Sequence, residues 1–242
     1  MFKYNEETGK YVLKGTEHLA GEFLSFDLTP HVTSIVILTI GLLILFYVIN
    51  RKIKKADPLG EPKGLLLLTT IFVTSIEDFT VGIVGEKLRS VAPYIGFVVL
   101  YLILANTIGL FGFTPPTSSI SVTLTFGLAT FFVIKYYGIK TQGMGHITGI
   151  FQPAFLAPVN LMGEIALPFS LSVRLFGNIL SGVTIMTVVY TLVASVSKIL
   201  GIFTGFSIVV PLMHAYFDIF SGLIQTLVFT LISTVYIANA AD

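Results

Sequence analysis

The sequence predicts an all-α polytopic membrane protein with five transmembrane helices and one interfacial helix, the last two transmembrane helices being long, antiparallel and strongly tilted. Three observations support this fold class. The 242 residues are 54% apolar and only 11% charged, whereas soluble domains carry about 25% charged residues. The mean hydropathy is +0.90. The charges lie in short segments between uncharged runs of the length that a membrane-spanning helix requires, about 20 residues.

Composition also excludes several classes of function. The net charge of +1 gives no electrostatic basis for binding nucleic acid. The chain has no cysteine, which excludes disulfides and thiolate metal sites. The histidines are too scattered to predict a metal site, and no cofactor is expected; they are His18, His31, His146 and His214.

The first predicted span covers about residues 32–50 and begins beside Thr29-Pro30, a typical helix start. It ends at the densest basic cluster of the chain, which is Arg51, Lys52, Lys54 and Lys55. The positive-inside rule places this cluster in the cytoplasm and residues 1–29 outside, as an external N-terminal segment. That segment lacks the basic-then-apolar order of a cleaved signal. Residues 30–242 are predicted to form a single membrane domain.

The apolar run that starts at Gly64 is too short to span by itself, and charged residues follow it closely. We therefore predict a helix at the membrane interface over about 64–89. A partly inserted hairpin is the alternative.

Residues 90–134 carry no formal charge, and Phe113-Thr-Pro-Pro-Thr-Ser-Ser119 interrupts them. This pattern predicts spans at about 91–113 and 119–135, joined by an external turn, with Lys135 ending the second span on the cytoplasmic side. Asn106 is polar within the first of these spans. Both an ion-pathway role and interhelical hydrogen bonding stay open for it.

Two long helices complete the membrane domain, at about 160–198 and 205–239. The first would be about 55 Å long, whereas the hydrocarbon core is about 30 Å thick. Strong tilt is therefore expected, and the C-terminus is predicted to be cytoplasmic. No internal repeat is visible, which argues against transporters built from inverted repeats.

Charges inside these two helices are the candidate functional residues. Arg174 lies far from either end of the first helix, and Asp218 is the only formal charge in the second. An arginine at the bilayer centre costs at least about 2.5–3.5 kcal/mol, so it is usually paired and functional. Glu164 precedes Arg174 and Asp218 lies beyond it, so a carboxylate is expected on each side of a fixed cation. This order suits two offset half-channels separated by an electrostatic barrier. A purely structural ion pair is the alternative.

The pairing of the two helices indicates where the partner of Arg174 is. If Arg174 opposes Gln225, then Val183 lies near Asp218, and Arg174 has an amide neighbour but no carboxylate of this chain. We therefore expect its counter-ion to come from another subunit.

Three motifs resemble a known family over about residues 30–240. Arg174 is followed by Leu-Phe-Gly-Asn178 and preceded by Pro168 and Glu164. Gln225 precedes Phe229 and Thr234-Val-Tyr236, and the third motif is Asn106-Thr-Ile-Gly109-Leu-Phe-Gly-Phe-Thr-Pro115. In order and spacing they resemble subunit a of bacterial F-type ATP synthases.

The resemblance implies a non-catalytic stator ion-channel subunit of the membrane (F0) sector, located in the bacterial plasma (inner) membrane. Its implied partners are a c-ring of identical hairpin subunits, the peripheral-stalk b subunits and the lipid bilayer. An ion would pass through two half-channels to and from the ring carboxylates. The implied ion-translocation residues are Arg174, Asp218, Glu164, Gln225, Asn178, His214 and Asn106.

Two departures from the family pattern concern the external path. Many relatives carry an acidic residue where Val183 stands, and His or Glu where Asp218 stands. The external path would therefore rely on Asp218, with His214 as a relay or as an ordinary polar contact. The expected ion is the proton, with sodium as the alternative. Outside this family, a membrane anchor or a self-contained solute carrier would also fit the composition.

Overall fold

The computed structural model describes residues 2–5, 10–13, 30–57, 60–151, 153, 155–200 and 209–241. Near the N-terminus, β1 (Phe2–Asn5) and β2 (Lys10–Leu13) pair antiparallel with Phe2 opposite Leu13. The sequence analysis did not predict this hairpin. The other regular elements of the described residues are helical, and most of the predicted external segment lies outside the described residues.

Eight α-helices follow the hairpin in the described part of the chain. Six helical segments are long and apolar enough to cross a membrane, so the predicted polytopic all-α class is confirmed. The α-helices are α1 (Pro30–Lys55), α2 (Leu65–Val84), α3 (Ala92–Thr107), α4 (Ile120–Gln142), α5 (Gly145–Ile150), α6 (Ala157–Leu200), α7 (Val209–His214) and α8 (Gly222–Ala241). Short 3-10 turns cover Glu86–Val91, Ile108–Phe111 and Pro116–Ser118.

Two helices extend past the basic residues that were predicted to end them. α1 continues through its basic cluster to Lys55, and α4 continues from Lys135 to Gln142. Long basic side chains can keep their stems in apolar surroundings while their charges reach polar groups, so they do not terminate a helix. α4 stops instead at Gly143, whose φ of 65° favours glycine. Lys135 consequently lies inside a helix.

α2 ends earlier than the helix predicted over about 64–89, and a separate 3-10 turn covers Glu86–Val91. The helix runs through the acidic pair Glu77 and Asp78 to Val84, a total of 20 residues, and by length and composition it could cross a membrane. The expectation that this run is too short to span is therefore wrong. Its location at the membrane interface stays a prediction.

The last predicted helix is not uniform. A seven-residue π-helix, Ala215–Ser221, joins α7 to α8 and contains Asp218. The predicted start at residue 205 lies outside the described residues. π-helical turns are rare and occur frequently at functional sites, because they widen the helix and alter which residues share a face.

Close packing between α6, α4 and α8 holds the centre of the bundle. α6 packs along α4, and α8 packs against both α3 and α4. At Gly127 of α4, an added Cβ would come within 2.1 Å of Ser172 Oγ on α6, so only glycine permits this approach. The largest apolar cluster joins α1, α3, α6 and α8, and includes Leu38, Leu102, Leu175 and Phe229.

The register of α6 against the last helix agrees with the prediction. Ser221 Oγ donates a hydrogen bond to Asn178 Oδ1 at 3.1 Å, and a Cβ on Gly182 would lie 3.5 Å from Phe217. Along two antiparallel helices, opposed residues have numbers that add up to a constant total. Both pairs have the same total as Arg174 and Gln225, so the opposition of these two positions is confirmed. α6 has 44 residues and is therefore about 66 Å long. It cannot stand upright in a hydrocarbon core of about 30 Å.

Candidate functional site

Arg174 lies on the surface of α6 with an exposed side chain. Within the described residues no hydrogen bond or ion pair reaches its guanidinium group. The sequence predicted that this chain supplies no carboxylate to Arg174, and the described part of the chain agrees. A charge of this kind at the centre of a bilayer is costly without an opposite charge beside it.

Two amide side chains lie near Arg174, one on each of the two long helices: Asn178 on α6 and Gln225 on α8. Gln225 is 6% exposed, and its Nε2 has no hydrogen-bond partner among the described residues. Asn178 is half-buried and accepts the hydrogen bond from Ser221. Gln225 opposes Arg174 in register, but no hydrogen bond joins the two in the described structure. Arg174 on α6 and Gln225 on α8 therefore place one exposed cation and one buried amide donor at the same height along the two helices.

A hydrogen-bonded chain of three side chains contains Asp218. His214 Nδ1 lies 2.5 Å from Asp218 Oδ2, one turn away on the same helix. His214 Nε2 contacts the hydroxyl of Tyr190, which comes from α6. Gly109 has no side chain and so leaves room for the carboxylate of Asp218. An added Cβ on Gly109 would lie 3.3 Å from Asp218 Oδ2. The contact of His214 with Asp218 is thus present, while its part in ion transfer stays a prediction.

Tyr190 was not among the predicted site residues. It is not on the face of α6 that carries Arg174 and Asn178, so the periodicity of polar residues gives no signal for it. Only the packing of α7 and the π-helix onto α6 brings its hydroxyl to His214.

Asn106 is buried at 2% exposure and has three hydrogen bonds. Its Nδ2 donates to Gly222 O at 3.2 Å and to Thr226 Oγ1 at 3.4 Å. Its Oδ1 accepts from Thr117 Oγ1 at 2.9 Å. These bonds join α3, the 3-10 turn and α8, as interhelical hydrogen bonding requires. An ion-pathway role for Asn106 stays a prediction.

Glu164 is held by a cation that the sequence analysis missed. Lys135 Nζ lies 2.6 Å from Glu164 Oε2, and the two side chains are 17% and 27% exposed respectively. Lys135 was interpreted only as the end of a span. Because α4 continues past it, its side chain reaches α6 instead.

A polar cavity of about 560 Å³ opens beside this ion pair. Helices α4, α5, α6 and α8 form its walls. Its polar lining side chains are Lys135, Gln142, His146, Asn160, Glu164, Tyr236 and Asn239.

His146, on α5, lies between this cavity and α4. Its Nε2 is 3.4 Å from Lys135 Nζ, and its ring rests against Gly138, where an added Cβ would lie 2.6 Å from Nε2. Burial lowers the pKa of His146, the Lys135 charge lowers it further, and Glu164 acts in the opposite direction. No pattern along the chain groups His146 with Glu164, because contacts between separate helices bring the two residues together.

The two carboxylates flank Arg174 along the helix pair. Glu164 precedes Arg174 by about 15 Å on α6, at about 1.5 Å per residue. An added Cβ on Gly182 would lie 3.5 Å from Phe217, which places Asp218 about 10 Å beyond Arg174 by the same rise. The predicted order of carboxylate, cation and carboxylate is therefore present.

Comparison with known proteins gives a consistent set of similarities. Residues 32–238 match the family profile described as ATP synthase A chain. The chain is 34% identical over 232 residues to ATP synthase subunit a of Mycoplasma pneumoniae (strain ATCC 29342 / M129 / Subtype 1), covering 87% of this chain and 78% of the relative. It is 30% identical over 243 residues to ATP synthase subunit a of Syntrophobacter fumaroxidans (strain DSM 10017 / MPOB), covering 98% and 94%.

Proposed function

The chain belongs to the ATP synthase A chain family, and on that premise we propose that it is the stator proton channel of the membrane (F0) sector of an F-type ATP synthase. Its partners would be a c-ring of identical hairpin subunits, each with one membrane-embedded carboxylate, and the peripheral-stalk b subunits. The chain is a multi-pass membrane protein and a translocating, not a catalytic, subunit. We place it in the bacterial plasma (inner) membrane.

The exposed, unpaired guanidinium of Arg174 carries this proposal. An arginine in the middle of a membrane helix is costly unless an opposite charge faces it, and the described part of this chain provides none. A ring carboxylate passing along α6 would provide that charge repeatedly. Gln225, whose buried Nε2 lacks a partner in the described structure, could donate a hydrogen bond to the same carboxylate.

The flanking carboxylates support two half-channels. A proton would enter near Asp218 and neutralise a ring carboxylate, which could then turn into the lipid. After nearly a full rotation that carboxylate would reach the cavity near Glu164 and release its proton. Arg174 would favour the ionised carboxylate between the two sites and would block direct leakage. A potential of 100 mV supplies about 2.3 kcal/mol per charge, so several protons would have to combine for each ATP.

We infer five crossings with the N-terminus outside and the C-terminus in the cytoplasm. The start of α1 lies at the 3-10 turn between α3 and α4, where Ser118 Oγ is 3.4 Å from His31 Nδ1. The end of α1 and the start of α3 therefore lie at the same end of the bundle. For α2 to cross completely, the nine residues between α1 and α2 would have to recross the membrane. Lipid permits only helices or closed barrels to span it, and a helix of nine residues would be only about 14 Å long. This supports the interfacial or partly inserted placement of α2.

The proton, rather than sodium, suits the groups along the path. Asp218 touches an imidazole, and a histidine–carboxylate contact can relay a proton. Glu164 is already neutralised by an ammonium group, which would repel a sodium ion.

Replacing Arg174 with Ala tests the proposal. We expect Arg174→Ala to abolish ATP synthesis driven by an ion gradient in inverted vesicles while the complex still assembles. Arg51→Ala is the matched control, because Arg51 is an exposed arginine at the end of α1. An inert membrane anchor predicts no loss in either variant, so coupled synthesis that survives Arg174→Ala refutes the proposal. Synthesis that requires sodium at a fixed pH gradient would reassign the ion.

A further inference from the structure

We propose that His146 exchanges protons with the cytoplasm at the end of the cavity beside Glu164, with Lys135 and Gly138 as its positioning residues. This inference rests on the proposed function, because it assigns a residue to the path through which protons leave. Neither the family motifs nor the sequence pattern singles out His146.

The position of His146 suits exchange between the cavity and water. α5 lies outside the membrane-spanning helices, and the side chain of His146 is half-buried at the cavity wall. Its ring occupies the space that Gly138 leaves on α4. The imidazole ring of His146 therefore borders the cavity, while α5, which carries it, belongs to the connection between α4 and α6.

Glu164 already has a partner at this cavity. Its Oε2 lies 2.6 Å from Lys135 Nζ, so the carboxylate and the ammonium group form an ion pair. In this proposal, Glu164 positions the side chain of Lys135.

His146 can gain and lose a proton while Lys135 keeps Glu164 as its ion-pair partner. In its neutral form, Nε2 accepts a hydrogen bond from Lys135 at 3.4 Å, so Nδ1 carries the ring hydrogen. A proton released by a ring carboxylate would cross the cavity and bind Nε2. Both groups would then be donors, and Lys135 would keep Glu164 as its partner. Loss of the proton to cytoplasmic water would restore the neutral imidazole.

The charges around His146 favour release. Lys135 on α4 and burial lower its pKa below the usual value of about 6.5, while Glu164 on α6 partly offsets them. Tyr236 on α8 is the remaining titratable side chain that lines the cavity in the described residues. The imidazole therefore gives up a proton more readily than an unperturbed histidine. Uptake from the cytoplasmic side should increase as the medium becomes more acidic.

Proton conduction through the intact membrane sector tests this assignment. Inverted vesicles stripped of the catalytic sector expose the cytoplasmic face to the medium, so the medium pH sets the protonation of His146. Under a potassium diffusion potential, we expect wild-type conduction into the vesicles to rise as the medium becomes acidic. We expect His146→Gln to conduct several-fold less and to lose this rise. His31→Gln, at the opposite end of the bundle, should keep the wild-type profile.

A second variant moves the ring without removing it. Gly138→Ala forces the imidazole away from α4, and we expect a loss in the same direction as for His146→Gln. Gly41→Ala is its control, because Gly41 lies on α1, away from the cavity, and a Cβ there meets nothing within 4 Å. An unchanged pH profile in His146→Gln, or the same change in His31→Gln, overturns the proposal. If Arg174→Ala still abolishes coupling in that case, the proposed function stands and only the assignment of His146 falls.

Discussion

The two carboxylates of the candidate path are held in different ways. Asp218 pairs with His214 one turn away, inside a π-helix, and the chain of contacts ends at Tyr190. Glu164 pairs with Lys135 from a separate helix, and the pair borders a polar cavity of about 560 Å³. Asp218 is also less exposed, at 16% against 27% for Glu164.

This difference separates two physical roles. A neutral imidazole beside a carboxylate makes a group that can take up and pass on a proton near neutral pH. A permanent ammonium group beside a carboxylate makes a fixed ion pair whose charges cancel. The Asp218 end therefore joins a carboxylate to an imidazole and a tyrosine hydroxyl, whereas the Glu164 end combines an ion pair with a cavity that several polar side chains line.

The largest expected effect compares the carboxylates directly. Asp218→Asn should reduce ATP-driven proton pumping to background, because asparagine cannot titrate and His214 cannot replace it. Glu164→Gln should leave measurable pumping, because Gln142, Asn160 and His146 also line its cavity. Quenching of a pH-sensitive dye in inverted vesicles measures both, normalised to the assembled complex. Equal losses of proton pumping in the two variants would show that the two carboxylates do not differ in role.

An intermediate effect is expected at the ion pair. Lys135→Gln leaves Glu164 without its cation at a largely buried position, which should destabilise the subunit by about 1–3 kcal/mol. The temperature at which the subunit is lost from the purified complex measures this change. Adding Glu164→Gln should restore part of the stability, since neither charge then lacks a partner.

Lys140→Gln is the matched control, because Lys140 lies on the same helix and its ammonium group contacts the rings of Tyr136 and Tyr137 in the described structure. A double variant less stable than Lys135→Gln would show that the pair does not act as a unit.

The smallest effect sharpens the description of the Asp218 end. Tyr190→Phe removes the hydroxyl contact with His214 and keeps the ring, so proton pumping should fall roughly fivefold, as for a lost hydrogen bond of about 1 kcal/mol. Tyr216→Phe serves as the control, because the contacts of Tyr216 in the described structure are with the rings of Phe217 and Phe220. Equal pumping in the two variants would exclude Tyr190 from the path.

Much of the fold follows from local patterns. Uncharged runs predicted the helices, since a bilayer accepts only segments that satisfy their own backbone hydrogen bonds. The constant sum of opposed residue numbers predicted the register that Asn178 and Ser221 confirm. The ends of α1 and α4 were predicted too early, because basic residues were interpreted as helix ends.

The sequence by itself determined the membrane class, the antiparallel pair of long helices and the order of Glu164, Arg174 and Asp218, because hydropathy, helical periodicity and axial rise act along the chain. Tertiary structure decided which groups surround the two carboxylates. Lys135 meets Glu164, His146 enters the space left by Gly138, and Tyr190 meets His214 only because separate helices pack at short range. No period along the sequence encodes such contacts, since each depends on the rotation and spacing of two helices at once.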